Sequence, residues 1–304
     1  MKKRWLNNKK TVAAAVTAAL VTGCGGGSDS SSPTPITDFT VTALDGYLHK
    51  ASVRVDNNNN GVCEIDLGVT DEKGQLKVDG QYKDKLLCVT ATPGTTVDMT
   101  RGIVESAFTL KAPAGSVVIN PLTNLVVEKL ENDSMLDLAA AQKSVVDALV
   151  ESGIHVDNND AFGDYLSATN SPQDALKSKQ LEVIGEVLVD NHDKPNINPD
   201  SKLTIIKQVA TEVKDKTSAD DLEGFNPVVG DIKEDGSVDP ITVNHRPKSV
   251  GAKDLTFKTE ISVGGTTSID LASQYGLAFE DVDSGDSFTL KVSTDSEYQN
   301  ILEN

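Results

Sequence analysis

Two short stretches carry side-chain oxygens at spacings that suit a hard cation. In "VDNNNNGVCEIDLG", Asp56, Asn58 and Asn60 stand at alternate positions and Gly61 follows. Oxygens at alternate positions of a tight loop can fold around one point, which is what Ca²⁺ requires. An EF-hand loop counted from Asp56 would need its bidentate Glu where Leu67 stands, so Glu64 or Asp66 would have to substitute. The same residues also make an ordinary Asn/Gly turn between strands, because both residue types tolerate positive φ. In "FEDVDSGDSFTLKVS", Asp281, Asp283 and Asp286 place three carboxylates within six residues. Such charges repel one another unless a cation or water screens them, and a solvated turn is the alternative. These six residues are the candidate calcium ligands.

No other stretch has the spacing of a reaction centre. HExxH, GxSxG, the phosphate-binding GxxxxGK[ST] and the dinucleotide GxGxxG are all missing. His49, His155, His192 and His245 lie in four unrelated settings. At this acidity carboxylate pairs abound, and none stands out as a glycosidase pair. The chain is therefore expected not to be an enzyme.

The N-terminus has a different logic. Lys2, Lys3, Arg4, Lys9 and Lys10 form a positive start, and Thr11 to Thr22 follow without a charge. A membrane span needs about 20 apolar residues, so this run reads as the core of a secretory signal. The cleavage zone, Leu20-Val21-Thr22-Gly23-Cys24, resembles the lipobox of bacterial lipoproteins. In that family the residue matching Cys24 receives a diacylglycerol, cleavage falls before it and the new amine is acylated. Several chains on one cysteine anchor stably where a single chain does not. Gly25, rather than Asp, after the cysteine implies by the same resemblance the outer membrane of a Gram-negative cell, with a surface-facing body. Residues 25–36 are Gly, Ser, Asp, Pro and Thr with a single Ile, a flexible tether.

The chain has 28 basic and 46 acidic residues, a net charge of −18. Removing residues 1–23 takes away five basic residues and no acidic one, leaving −23. A phosphate backbone demands basic patches, so no nucleic-acid partner is expected. The acidity keeps an exported chain soluble. With Cys24 acylated, Cys63 and Cys88 remain as an even pair in an oxidising compartment, which reads as a disulfide. It would close a loop of about 25 residues and contribute about 3 kcal/mol in the chain-entropy picture.

The elements that must position these residues follow from pattern. Residues 38–119 alternate in short strands such as "FTVTALDGYL" and "ASVRV", which suggests a sandwich or small barrel. Asn120-Pro121 signals a helix start, as do Ser134 with Asp137, Ser171-Pro172 and Pro199. The amphipathic runs after them predict a bundle of helices over 120–216. Residues 217–243, rich in Gly and Pro, read as a linker or a loosely packed cover, and strands return from Asn244.

Residues 42–130 resemble the prealbumin-like and carboxypeptidase-regulatory-like β-modules of gammaproteobacterial surface lipoproteins, through "LDGYLHKASVRVDNNNNG" and "FTLKAPAGSVVINPLTNLV". Where that layout often carries Asp-Gly-Glu, this chain has Cys63-Glu64, which favours the disulfide over metal. "NHRPKSV" together with the 279–293 stretch resembles bacterial cadherin-like (dystroglycan-type) Ig repeats, whose acidic loop can ligate calcium at a module junction. Only 61 residues run from Asn244 to the end, against roughly a hundred for an Ig-like sandwich. A fragment, a truncated product or completion by another chain is therefore expected.

The expected fold is multidomain α+β: a signal peptide over 1–23, a tether over 24–37, a β-sandwich module over 38–119, a helical bundle over 120–216, a linker over 217–243 and a partial cadherin-like Ig domain over 244–304. The expected role is an outer-membrane lipoprotein for binding, adhesion or display, facing a glycan or protein. The alternatives are the non-catalytic front of a larger exported hydrolase and a purely structural envelope lipoprotein.

Overall fold

The computed structural model describes residues 37–167 and 170–246. It also describes the backbone pairing of Lys248–Ser249 with Phe279–Glu280 and of Val292–Ser293 with Ile301–Leu302, both antiparallel. All of these belong to one of the two compact units of the chain, Ile36–Asn304, the other being Met1–Pro35. The fold class is mixed α+β, with several sheets and, among the described residues, five α-helices.

The strands come first. β1 (Phe39–Ala43), β2 (Leu48–His49), β3 (Ser52–Asp56), β4 (Ile65–Val69) and β5 (Gln75–Val78) precede β6 (Leu86–Ala91), β7 (Val97–Asp98), β8 (Gly102–Ile103), β9 (Phe108–Ala112) and β10 (Val118–Ile119). The largest sheet has the order β4-β3-β6-β9 and is antiparallel throughout. A second has the order β10-β1-β5, with β10 parallel to β1. Successive side chains on a strand point to opposite faces. In β3, Val53 and Val55 are accordingly buried and Arg54 between them is exposed. In β6, Leu87, Val89 and Ala91 face inward. These residues meet Val41 and Ala43 of β1, Val78 of β5 and Ile119 of β10 in one apolar core, so both sheets line the same interior. Each fully buried Val or Leu is worth about 1.5–3 kcal/mol relative to exposure.

The helices are α1 (Pro121–Asn132), α2 (Leu138–Glu151), the short α3 (Asn158–Phe162), α4 (Pro172–Asp190) and α5 (Pro199–Val213). Asn120 caps α1, accepting the Thr123 N–H at 2.8 Å, while Thr123 Oγ1 accepts the Asn120 N–H at 2.9 Å. Pro121 then occupies a position whose N–H would lack a partner anyway. Asn120 is fully buried, and its amide donates to Ala161 O at 3.1 Å, tying the start of α1 to the end of α3. Asn198 caps α5 in the same reciprocal way, with Ser201, while Ser171 caps α4 by accepting the Asp174 N–H, and each is followed by proline. The start expected around Ser134 is set by Asp137, which accepts the Ala140 N–H at 2.8 Å, and α2 opens one residue later.

α1, α2, α4 and α5 share a second apolar core with Leu125, Val145, Leu149, Ile184, Ile205, Ile206 and Val209. From Leu181 to Val189, α4 is buried on all sides. The two glutamates of that stretch, Glu182 and Glu186, are paired with Lys179 and Arg246, as buried charges must be. Gly185 at its middle admits a close crossing: a Cβ there would lie 3.0 Å from Tyr165 Oη and 3.2 Å from Pro121 Cγ.

The two cores are not insulated. Leu44 and Val118 belong to the helical core and Val189 to the strand core. The stretch after α5 contributes Leu222, Phe225, Val229 and Ile232 to the helical core. Isolated bridges Phe225↔His245, Val228↔Thr242 and Ile232↔Val238 fold it into a loose antiparallel hairpin.

Candidate functional site

A cleft of about 790 Å³ lies between the β7–β8 hairpin, one flank of α4 and the stretch 222–225 with Arg246. Its chemistry is ionic. Asp98 ends β7, is buried, and accepts five hydrogen bonds: from Gly46 N at 3.0 Å, Thr100 N at 2.8 Å, Thr100 Oγ1 at 2.7 Å, Arg101 N at 3.2 Å and Arg101 Nε at 3.3 Å. The backbone of Gly46 presses so close that a Cβ there would lie 2.1 Å from the Asp98 carboxylate. Only glycine lets the chain deliver its N–H from that distance.

Arg101 is the hub. Its guanidinium also donates to Asp45, which is fully buried, and to Asp190 Oδ1 at 2.7 Å. Arg246 reaches the same helix from the other side, donating to Glu186 Oε2 at 2.6 Å and to Asp190 Oδ2 at 3.2 Å. Lys179 pairs with Glu182 at 3.0 Å. Five carboxylates (Asp45, Asp98, Glu182, Glu186 and Asp190) thus face three cations (Arg101, Lys179 and Arg246) in largely buried surroundings.

That imbalance acts on the titrating groups. Burial pushes Asp45 well above the usual carboxylate range; Arg101 pulls against it, while Asp98, Glu186 and Asp190 add to it. Burial likewise raises Glu182, opposed by Lys179. Burial works against the charge of Arg101, but Asp45, Glu186, Asp190 and Asp98 outweigh it and hold the guanidinium pKa above its ordinary value. Tyr165, buried behind the network, is raised by burial first and then by the carboxylates, Asp45 foremost. Tyr165 Oη and Asp45 Oδ1 have no hydrogen-bond partner among the described residues.

The network therefore stores charge and hydrogen-bonding capacity. Carboxylates and guanidinium groups at the wall of a polar cleft can bind hydroxyls or charged groups. The one histidine lining it, His192, is held through Nδ1 at 2.8 Å from Val189 O.

The residues singled out from sequence lie elsewhere. Cys63 and Cys88 form a disulfide with a Cα–Cα distance of 6.2 Å. It ties the loop before β4 to β6 on the side of the sheet opposite Leu87 and Val89. Asp56 closes a turn: its carboxylate accepts Asn60 N at 3.1 Å and Gly61 N at 2.7 Å, while Asn60 Oδ1 accepts Val62 N at 2.8 Å. Asn58 is exposed in that turn. Among the described residues no cluster of three or more His, Cys, Asp or Glu is spaced to hold a metal ion. Cys24, Asp281, Asp283 and Asp286 lie outside the described residues. Sequence reasoning missed Asp45, Asp98, Arg101, Asp190 and Arg246, because no local spacing links them; the signal nearest to one was the Asp45-Gly46 dipeptide within "LDGYL".

Comparison of the chain with protein-family models, with curated proteins and with solved structures finds no match in any of the three.

Proposed function

We propose that this protein is an outer-membrane lipoprotein, anchored through lipid on Cys24 and facing the cell surface, whose body is a binding or display module without catalytic activity. Its plan is a β-sandwich module, a helical bundle and a partial Ig-like piece on a flexible tether. The observation that carries the reading is the Leu20–Cys24 stretch, with a positive start before it and a Gly/Ser run after it. The Cys63–Cys88 disulfide agrees with an oxidising compartment. No helix among the described residues is long and apolar enough to cross a membrane, so attachment would fall to the lipid.

The binding surface is the cleft of Arg101, Asp190 and Arg246, whose polar lining suits the hydroxyls of a glycan. Calcium at Asp56, Asn58 and Asn60 or at Asp281, Asp283 and Asp286 would stiffen the modules rather than take part in binding. A second reading, a structural spacer without ligand, is favoured by the fact that both guanidinium groups of the cleft are already held by carboxylates.

Fractionation of a Cys24→Ser variant tests the anchor; continued processing at the same bond and recovery with membranes would reject it. A panel of cell-surface glycans, probed with wild-type protein and Arg246→Ala, tests the module. Binding that weakens in the variant supports the cleft, and no binding by either leaves the spacer. Melting in calcium and in chelator tests the cation, since a ligand of the folded state must raise the melting temperature.

A further inference from the structure

On the far side of α1 a lysine, a glutamate and an asparagine meet in an arrangement that no ion pair requires. Lys202 Nζ donates to Glu128 Oε1 at 2.6 Å and to Oε2 at 2.7 Å. The same Oε1 accepts Asn124 Nδ2 at 2.8 Å. The carbonyl end of that carboxamide, Asn124 Oδ1, accepts the backbone N–H of Lys111 at 3.0 Å. Only the amide nitrogen can donate to a carboxylate and only its oxygen can accept an N–H, so the network leaves one orientation for the carboxamide. With both nitrogens bonded to one oxygen, they lie no farther apart than those two hydrogen bonds placed end to end. The lysine side chain is 8% exposed, whereas Lys143 and Lys207, in ion pairs on the surface, are 72% and 50% exposed.

We propose that Lys202 and Asn124 condense into an intramolecular isopeptide bond, with Glu128 as the proton carrier. Glu128 stands within hydrogen-bond reach of both the amine of Lys202 and the carboxamide of Asn124, which is the geometric condition for a proton carrier between them. A proton passes from Lys202 Nζ to the Glu128 carboxylate, leaving an amine lone pair to attack Asn124 Cγ. Charge that develops on Oδ1 meets the N–H of Lys111, an oxyanion donor fixed by the backbone of β9. Glu128 then protonates Nδ2, the Cγ–Nδ2 bond breaks and ammonia leaves. Nζ gives up two of its three hydrogens: one departs with Nδ2, and the other converts the released ammonia to ammonium, so Glu128 ends ionised. No electron is gained or lost. The bond would staple α5 to α1 independently of where in the cell the protein resides.

Peptide mapping of the purified full chain by mass spectrometry tests this. The expected result is a branched peptide joining the segments of Asn124 and Lys202, one ammonia lighter than the two together. Glu128→Gln and Lys202→Arg should each release linear peptides, with unchanged circular dichroism showing that they fold. Lys202→Arg retains the cation, so loss of the branched peptide in a folded protein separates chemistry from charge pairing. Wild-type protein that yields only linear peptides of unaltered mass overturns the proposal, and the triad is then an ordinary ion pair.

Discussion

Arg101 and Asp190 meet at 2.7 Å across 89 residues of sequence, and they join the two halves of the chain. Arg101 belongs to the β7–β8 hairpin and Asp190 is the last residue of α4. The same guanidinium holds Asp45 and Asp98, so one side chain serves the strand region and the helices together.

Replacing Arg101 with Met should be strongly destabilising. It leaves the buried Asp45 and Asp98 without their cation, and breaking a buried pair from one side costs about 3–5 kcal/mol. Urea denaturation of the variant should show a midpoint lowered accordingly, with an unchanged slope if the folded state keeps its compactness.

The charge imbalance predicts a pH dependence whose sign is set by Asp45. Its folded pKa lies well above the unfolded value, so between the two the folded state binds the extra proton. Stability then falls as pH rises through that window, beginning near the unfolded carboxylate value of about 3.9. Glu182, also raised, acts in the same direction. In Asp45→Asn the downward trend should be shallower than in wild type. Denaturation curves across a pH series on both proteins give the comparison, and equal slopes would remove Asp45 from the explanation.

Breaking the Cys63–Cys88 bond should lower stability by about 3 kcal/mol, because the unfolded chain regains the freedom of the loop that it closes. Thermal melts with and without reductant read this, and Cys63→Ser with Cys88→Ser should melt with the reduced protein.

Asn120→Ala removes an N-cap and strands two backbone carbonyls near the end of α3, those of Ala161 and Gly163. Capping losses run to about 2 kcal/mol at such sites, and the buried acceptors add to that. The loss should exceed that of Ser171→Ala, whose cap bonds only within its own first turn, and chemical denaturation of both ranks them.

What could be read beforehand was local. Asn120-Pro121, Ser171-Pro172 and Pro199 each mark a helix start, and each opens a helix where expected. The disulfide followed from counting cysteines. The cleft was not legible, because Asp45, Arg101, Asp190 and Arg246 converge only once two apolar cores have formed. Residues 217–243 read from their Gly and Pro as a linker or a loosely packed cover, and Leu222, Phe225, Val229 and Ile232 of that stretch pack into the helical core. The depth of α4 was half legible: its apolar register shows in the sequence, but Glu182 and Glu186 are each at least nine-tenths buried because Lys179 and Arg246 lie against them, and those partners are set by tertiary packing.

The hairpin of residues 225–245 has a mechanical corollary. Its bridges lie in series, with Phe225↔His245 outermost and Ile232↔Val238 nearest the bend. Tension transmitted through Arg246 would first strip that side chain from Glu186 and Asp190 and then open the bridges one after another, as a zip opens. Peeling of this kind would also draw Phe225, Val229 and Ile232 out of the helical core, so the segment would yield length only as that core gives up its cover.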